Sequence, residues 1–208
     1  RRYRHYNDDL LSRLSNSATL QKEIDENHFV VYFQPKISSS SRLAEGAEAL
    51  VRYSPQPGKL IYPGDFIPLL EEFEIINLID FYVFRFVCSK LSSWKKSGRR
   101  LFPVSVNFSV CSLKMPDFIG RLTEICKSCD ISPKYLEIEV TEKMQNNDGL
   151  DVKELSSRLQ KAGFTIALDD FGTECANVVL LSEVEFDVLK LDKSIIDHIA
   201  DNPRNLTI

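Results

Sequence analysis

The sequence predicts an α/β protein built as a β/α barrel, with its first strand antiparallel and with the last two of eight strands absent from this chain. Three observations lead there. Short β-branched runs alternate with helical stretches along most of the 208 residues, the pattern of a parallel sheet with covered faces. The first two strands are linked by four serines and an arginine (38–42), too short for a parallel crossover and therefore an antiparallel pair. Polar side chains, most of them acidic, stand at the ends of successive strands, where β/α barrels keep their sites.

Taken in order, residues 7–27 are polar with leucines at helical spacing (Leu10, Leu11, Leu14, Leu20) and predict helices. They form a helical lead-in, or linker from an upstream domain, over 1–27, with the barrel domain over 28–208. Residues 28–37 and 43–53 are strands rich in aromatic and β-branched side chains. Pro57, Gly58, Pro63 and Gly64 mark a loop. Asp65 is placed to cap a short helix, and 74–96 reads as a long one. Its apolar positions cover much of its circumference, which suits either an outer helix covering the sheet or a homodimer contact. Strands follow at 102–108, 135–140, 164–168 and 186–191, with helices at 117–129, 152–162 and 177–181 between them and another starting at Ser194. That makes six strands.

Composition is that of a soluble globular protein, 43% hydrophobic and 27% charged. A net charge of −4 argues against binding a nucleic-acid polymer, since no basic excess offsets the phosphate backbone. No apolar run approaches the roughly 20 residues that span a bilayer, and the chain reads as cytoplasmic. The start at Arg1-Arg2-Tyr3-Arg4-His5 resembles a cut inside a larger parent, which could carry a membrane anchor upstream. The five cysteines are odd in number and irregular in spacing, as in a reducing compartment. The one C-x-x-C, Cys126 to Cys129, lies on a helical stretch without a second pair and reads as ordinary thiols.

The chemistry is carried by the strand ends: Glu48 toward the end of strand two, Asn107 on three, Glu139 on four, Asp169 and Asp170 on five, Lys190 and Asp192 on six. Carboxylates gathered in one mouth repel each other and have raised pKa values unless a cation sits among them. All the donors are oxygens, which suits Mg²⁺ or Mn²⁺ rather than zinc or copper. A pair of such ions fits an in-line displacement at phosphorus. Lys190 would then orient the attacking water, take part in proton transfer or stabilise charge in the transition state.

The same residues resemble the EAL domain family of cyclic di-GMP phosphodiesterases. Glu48-Ala49-Leu50 stands within A-E-A-L-V-R-Y at 47–53, preceded by Y-F-Q-P at 32–35. P-G-D-F-I-P at 63–68, V-N-F-S at 106–109, E-I-E-V-T-E at 137–142, L-D-D-F-G-T at 168–173 and L-K-L-D at 189–192 follow in the family's order. The resemblance implies a TIM-type barrel with an antiparallel first strand, and hydrolysis of cyclic di-GMP to linear pGpG with Mg²⁺ or Mn²⁺ in bacterial second-messenger signalling. It implies Glu48, Asn107, Glu139 and Asp169 as metal ligands, Asp170 as a ligand of a second ion, and Lys190 beside the attacking water. Gln34 and Arg52 become substrate contacts, the forked guanidinium suiting a phosphate, and Glu142 steadies the loop after strand five. An upstream sensory or GGDEF-type domain is the expected neighbour. Two departures support an alternative, a degenerate EAL module that binds cyclic di-GMP or a protein partner without catalysis. Thr173 is followed by Glu174-Cys175-Ala176-Asn177 where the family has a glycine and paired serines. The family's glutamate on strand seven and glutamine on strand eight are also missing, so this fragment alone is expected to have little activity.

Overall fold

A computed structural model describes residues 8–141, 150–172 and 178–194. Two short helices lead in, α1 (Asp8–Leu14) and α2 (Ser17–Asp25). Asn16 caps α2 by accepting the Thr19 N–H at 3.0 Å. Leu10, Leu14, Leu20 and Ile24 are buried in the same core as the strands that follow. Glu23 on α2 is buried too. It accepts the Tyr53 hydroxyl at 2.6 Å, bonds the His28 ring at 2.7 Å and pairs with Arg13 at 3.2 Å.

Strands β1 (Phe29–Ile37) and β2 (Ala44–Gln56) pair antiparallel, as the short serine link requires. The link is a tight turn in which the Arg42 N–H reaches the Ser38 carbonyl at 2.9 Å. Pro35, which has no N–H to donate, is tolerated because β1 is an edge strand among the described residues. A strand the sequence did not disclose, β3 (Lys59–Ile61), folds back on β2 around Pro57 and Gly58, where glycine takes φ 78°. Next come α3 (Pro63–Glu72), α4 (Asn77–Lys96), β4 (Val104–Asn107), α5 (Val110–Leu113), α6 (Phe118–Ser128) and a 3₁₀ turn over Pro133–Tyr135. Then follow β5 (Leu136–Thr141), α7 (Val152–Lys161), β6 (Thr165–Phe171), α8 (Val178–Glu183) and β7 (Val188–Leu191). The sheet runs β1-β2-β4-β5-β6-β7, parallel from β2 onward, with β3 on the side of β2. Among the described residues it has seven strands and is not closed, an incomplete barrel rather than a flat doubly wound sheet.

Three local expectations are corrected. The residue before the first turn of α3 is Tyr62, with Pro63 opening the helix, and Asp65 lies inside that turn. There it meets the helix dipole favourably without capping. The long helix starts at Asn77, because Glu74 adopts φ 56° and separates α3 from α4. Glu48 lies in the middle of a 13-residue strand rather than near its end, since β2 runs on beyond the parallel sheet to pair with β3.

Core residues sit on the outer face of the strands under the helices. Phe29 stacks on Tyr53 at 4.7 Å, and Phe33 meets Trp94 of α4 at 5.5 Å. Helix α4 buries Ile79, Val83, Phe84, Val87 and Leu91 and is an outer helix covering the sheet. On the same helix Asp80 is buried, and its Oδ2 accepts the Ser109 N–H at 2.9 Å, the Ser109 hydroxyl at 2.6 Å and the Ser112 hydroxyl at 2.7 Å. Burial pushes this carboxyl up to about 6 against the pull of Ser109 and Ser112, whose donated hydrogen bonds favour the carboxylate. It pins the segment after β4, which carries Asn107. Asp80→Ala takes the acceptor from three donors, the one on Ser112 buried and the two on Ser109 half-buried, and is expected to cost about 3 kcal/mol by chemical denaturation. A loss below about 0.5 kcal/mol would show that water replaces the carboxylate without penalty.

Candidate metal centre

Side chains alternate across a strand, and the cross-strand register fixes which of them share the inner face. Gln34, Glu48, Ser105 and Glu137 lie in one row, and Asn107 and Glu139 in the next. Thr141 pairs with Asp169, while Ala167 pairs with Val188 two residues before Lys190. The inner face therefore brings polar groups from successive strands toward one centre, with Ala167 and Val188 between them, while the outer face is mainly apolar.

The carboxylates of Glu48, Glu139 and Asp169 offer oxygens that all lie within 4.8 Å of one another. Lys190 Nζ stands among them, 3.0 Å from Glu48, 2.8 Å from Glu139 and 3.0 Å from Asp169. Asn107 donates from its amide to Glu48 Oε1 at 3.0 Å. Three carboxylates against one ammonium leave two negative charges, which match a divalent cation. Burial, then the charge of Glu48, push Glu139 up to about 7, although Lys190 pulls it down. Burial alone would lower the Lys190 ammonium, but Glu139 and Glu48 outweigh it and the net shift is upward. Glu139 is the most buried of the three, and burial outweighs the charge of its neighbours in raising it.

Does this set fit a metal? Glu139 is 1% exposed, and its Oε2 has no hydrogen-bond partner among the described residues. A buried carboxylate oxygen without a partner is costly, and a cation held by the neighbouring carboxylates would satisfy it. The donors are oxygens, as Mg²⁺ and similar hard ions require. The residues fit.

The other expected residues are placed less centrally. Gln34 is exposed and directly opposite Glu48 across β1 and β2. Arg52 lies farther along β2, donating to its neighbour's carbonyl, Val51 O, at 2.8 Å, with its guanidinium 5.0 Å from the Tyr62 ring. Asp170 adopts φ 55° at a register irregularity between Leu168 and Phe171. It is exposed, donates its N–H to Asp169 Oδ1 at 2.9 Å, and is not a member of the three-carboxylate group. Asp192 is half-buried, accepts the Ser194 N–H at 2.8 Å and is not a member of the three-carboxylate group. Glu142 and the loop from Thr173 to Asn177 lie outside the described residues.

One layer deeper are three polar groups that strand ends alone did not reveal. Lys36 Nζ reaches the Ser105 hydroxyl, lies 2.5 Å from Glu137 Oε1, and lies 3.5 Å from Glu139 Oε1. Ser105 donates to the same Glu137 oxygen at 2.6 Å. The available signal was spacing by two, since Lys36, Ser105 and Glu137 each stand two residues from Gln34, Asn107 and Glu139.

Fold and site together define an α/β barrel-type domain with an acidic mouth whose oxygens are placed for a metal ion. The model of the EAL domain matches residues 17–208, and the chain belongs to that family. It is 31% identical over 208 residues to signaling protein YkoW of Bacillus subtilis, covering 98% of this chain and 26% of that protein. It is 29% identical over 178 residues to the probable cyclic di-GMP phosphodiesterase PdeB of Escherichia coli, covering 86% of this chain and 34% of PdeB. Among solved structures, the PaMucR phosphodiesterase in its c-di-GMP complex superposes with a TM-score of 0.83 at 25% identity, covering 96% of this chain and 78% of that one. The chain spans about a quarter to a third of the length of these curated relatives.

Proposed function

We propose that this chain is the catalytic domain of a metal-dependent phosphodiesterase that hydrolyses cyclic di-GMP to linear pGpG. The observation that carries the reading is the buried Glu139 Oε2, without a hydrogen-bond partner among the described residues, within a group of three carboxylates. Glu48, Glu139 and Asp169, with Asn107, would hold Mg²⁺ or Mn²⁺, and Asp170 would contribute to a second ion. When bound, such ions supply an activated water and offset charge developing at phosphorus. Lys190 keeps its proton at Nζ at neutral pH, and orients the attacking water while opposing negative charge in the transition state. Arg52 offers a forked guanidinium to a phosphate, and Gln34 contacts the substrate beside Glu48. Glu142 steadies the loop after β6.

In the parent protein we place a sensory or GGDEF-type domain upstream, and a homodimer and a cytoplasmic site of action belong to the same proposal. Among the described residues no helix is long and apolar enough to cross a membrane.

The test is calorimetric binding of cyclic di-GMP to the full-length protein with Ca²⁺, whose adaptable coordination favours binding, followed by turnover with Mn²⁺. Binding followed by cleavage, with turnover lost in Glu48→Ala while the fold persists, is expected. Unchanged turnover in Glu48→Ala would remove Glu48 as a ligand. Binding without cleavage would make the chain the degenerate module.

A further inference from the structure

We infer that Lys36 is a positioning residue: with the buried Ser105 and Glu137 it forms an anchor that fixes Glu139 Oε1 and leaves Oε2 for the cation. This rests on the reading of Glu139 as a metal ligand. The Lys36 side chain is 33% exposed, but its ammonium reaches inward to Ser105 and Glu137, which are 1% and 5% exposed. Two of its N–H groups satisfy Ser105 and Glu137. The third faces Glu139 Oε1, the oxygen also held by Lys190 at 2.8 Å. A carboxylate with one oxygen held by two ammoniums loses the freedom to swing, and ordering of that kind governs how well a ligand binds metal.

One further feature fits. Lys36 neutralises Glu137, so the mouth is left with the charge of Glu48, Glu139, Asp169 and Lys190 alone. A buried ion pair is by itself weak evidence for stability, since apolar pairs of similar size often serve as well. The contact to Glu139 is what an apolar pair could not reproduce.

That difference separates positioning from structural filler. Mn²⁺ affinity is measured by calorimetry, and stability by denaturation with a chelator, on the full-length protein. Lys36→Met is expected to be less stable, because it strands Glu137, and to bind Mn²⁺ about 10-fold more weakly or worse. The double variant Lys36→Met/Glu137→Leu should recover most of the stability but not the affinity. Glu137→Gln keeps the shape and should also weaken Mn²⁺ about 10-fold, which decides the matter if the double variant does not fold. Affinity within about twofold of wild type in the folded double variant, or in Glu137→Gln, would overturn the positioning role. If wild-type Mn²⁺ binding survives in Glu139→Gln, or is absent from the start, the metal reading itself fails instead.

Discussion

Glu139→Gln is expected to abolish phosphodiester hydrolysis while stabilising the metal-free protein at pH 8. Loss of one buried ligand forfeits several kcal/mol of charge stabilisation at phosphorus, and about 4 kcal/mol corresponds to a rate loss of about 10³-fold. The stability gain comes from the same burial. Glu139 titrates near 7 in the folded chain against 4.5 for a free glutamate, chiefly through desolvation and then the charge of Glu48. Above pH 7 it is charged in both states, and the folded state bears the cost of a buried anion. As pH falls from about 7 toward 4.5, the folded state takes up the proton first and stability rises. Glutamine mimics the protonated form, so the variant should gain about 1–3 kcal/mol at pH 8. Its stability should also change less than that of the wild type between pH 8 and 6, while below pH 6 both share the further rise from Asp80, whose carboxyl is pushed up to about 6. Urea denaturation with a chelator across that range measures both. A wild-type curve that falls on acidification from pH 8 to 6 would mean that Glu139 is ionised without penalty and that the cluster is better solvated than its 1% exposure implies.

That trade between stability and chemistry explains what was legible in the sequence. The antiparallel first pair could be read from Ser38 to Ser41, because crossover length is a geometric limit. Glu48, Asn107, Glu139, Asp169 and Lys190 could be read as one group because parallel strands bring their ends to one mouth, and the structure joins them through contacts of 2.8–3.0 Å. Strand β3 has three residues and α5 has four, below the length at which periodicity is informative. Both depend on tertiary partners, β2 for the first and Asp80 for the second. Lys36 and Glu137 escape a reading of strand ends, because neither stands at the end of its strand that faces the mouth. Only the register, which sets Lys36 against Gly46 and Glu137 against Ser105, shows that they meet below the site. Tyr62 ahead of α3, in place of Asp65 as a cap, reflects Pro63, whose fixed φ can open a helix without a side-chain acceptor.

Lys190→Met should make the stability of the protein depend on metal. In the wild type the ammonium forms ion pairs with Glu48, Glu139 and Asp169 at once. Its removal leaves three carboxylates, with oxygens within 4.8 Å, without their central cation. Breaking a buried pair by deleting one partner costs about 3–5 kcal/mol, and here the acids can reduce that cost only by taking up protons. The metal-free variant is therefore expected to be several kcal/mol less stable at pH 8 and to recover on acidification toward pH 6. Mn²⁺ should recover it as well, because an ion bound only by the folded state stabilises it in proportion to the logarithm of its concentration over Kd. Turnover should behave differently. With Mn²⁺ saturating, the variant has its ligands but no group to orient the water or oppose charge beside them, and activity should stay down by about 10²–10⁴-fold. Thermal denaturation with and without Mn²⁺, paired with turnover at saturating metal, separates the two roles. Restored stability with restored turnover would reduce Lys190 to a counter-ion that the metal replaces. Restored stability without turnover would assign it to the reaction.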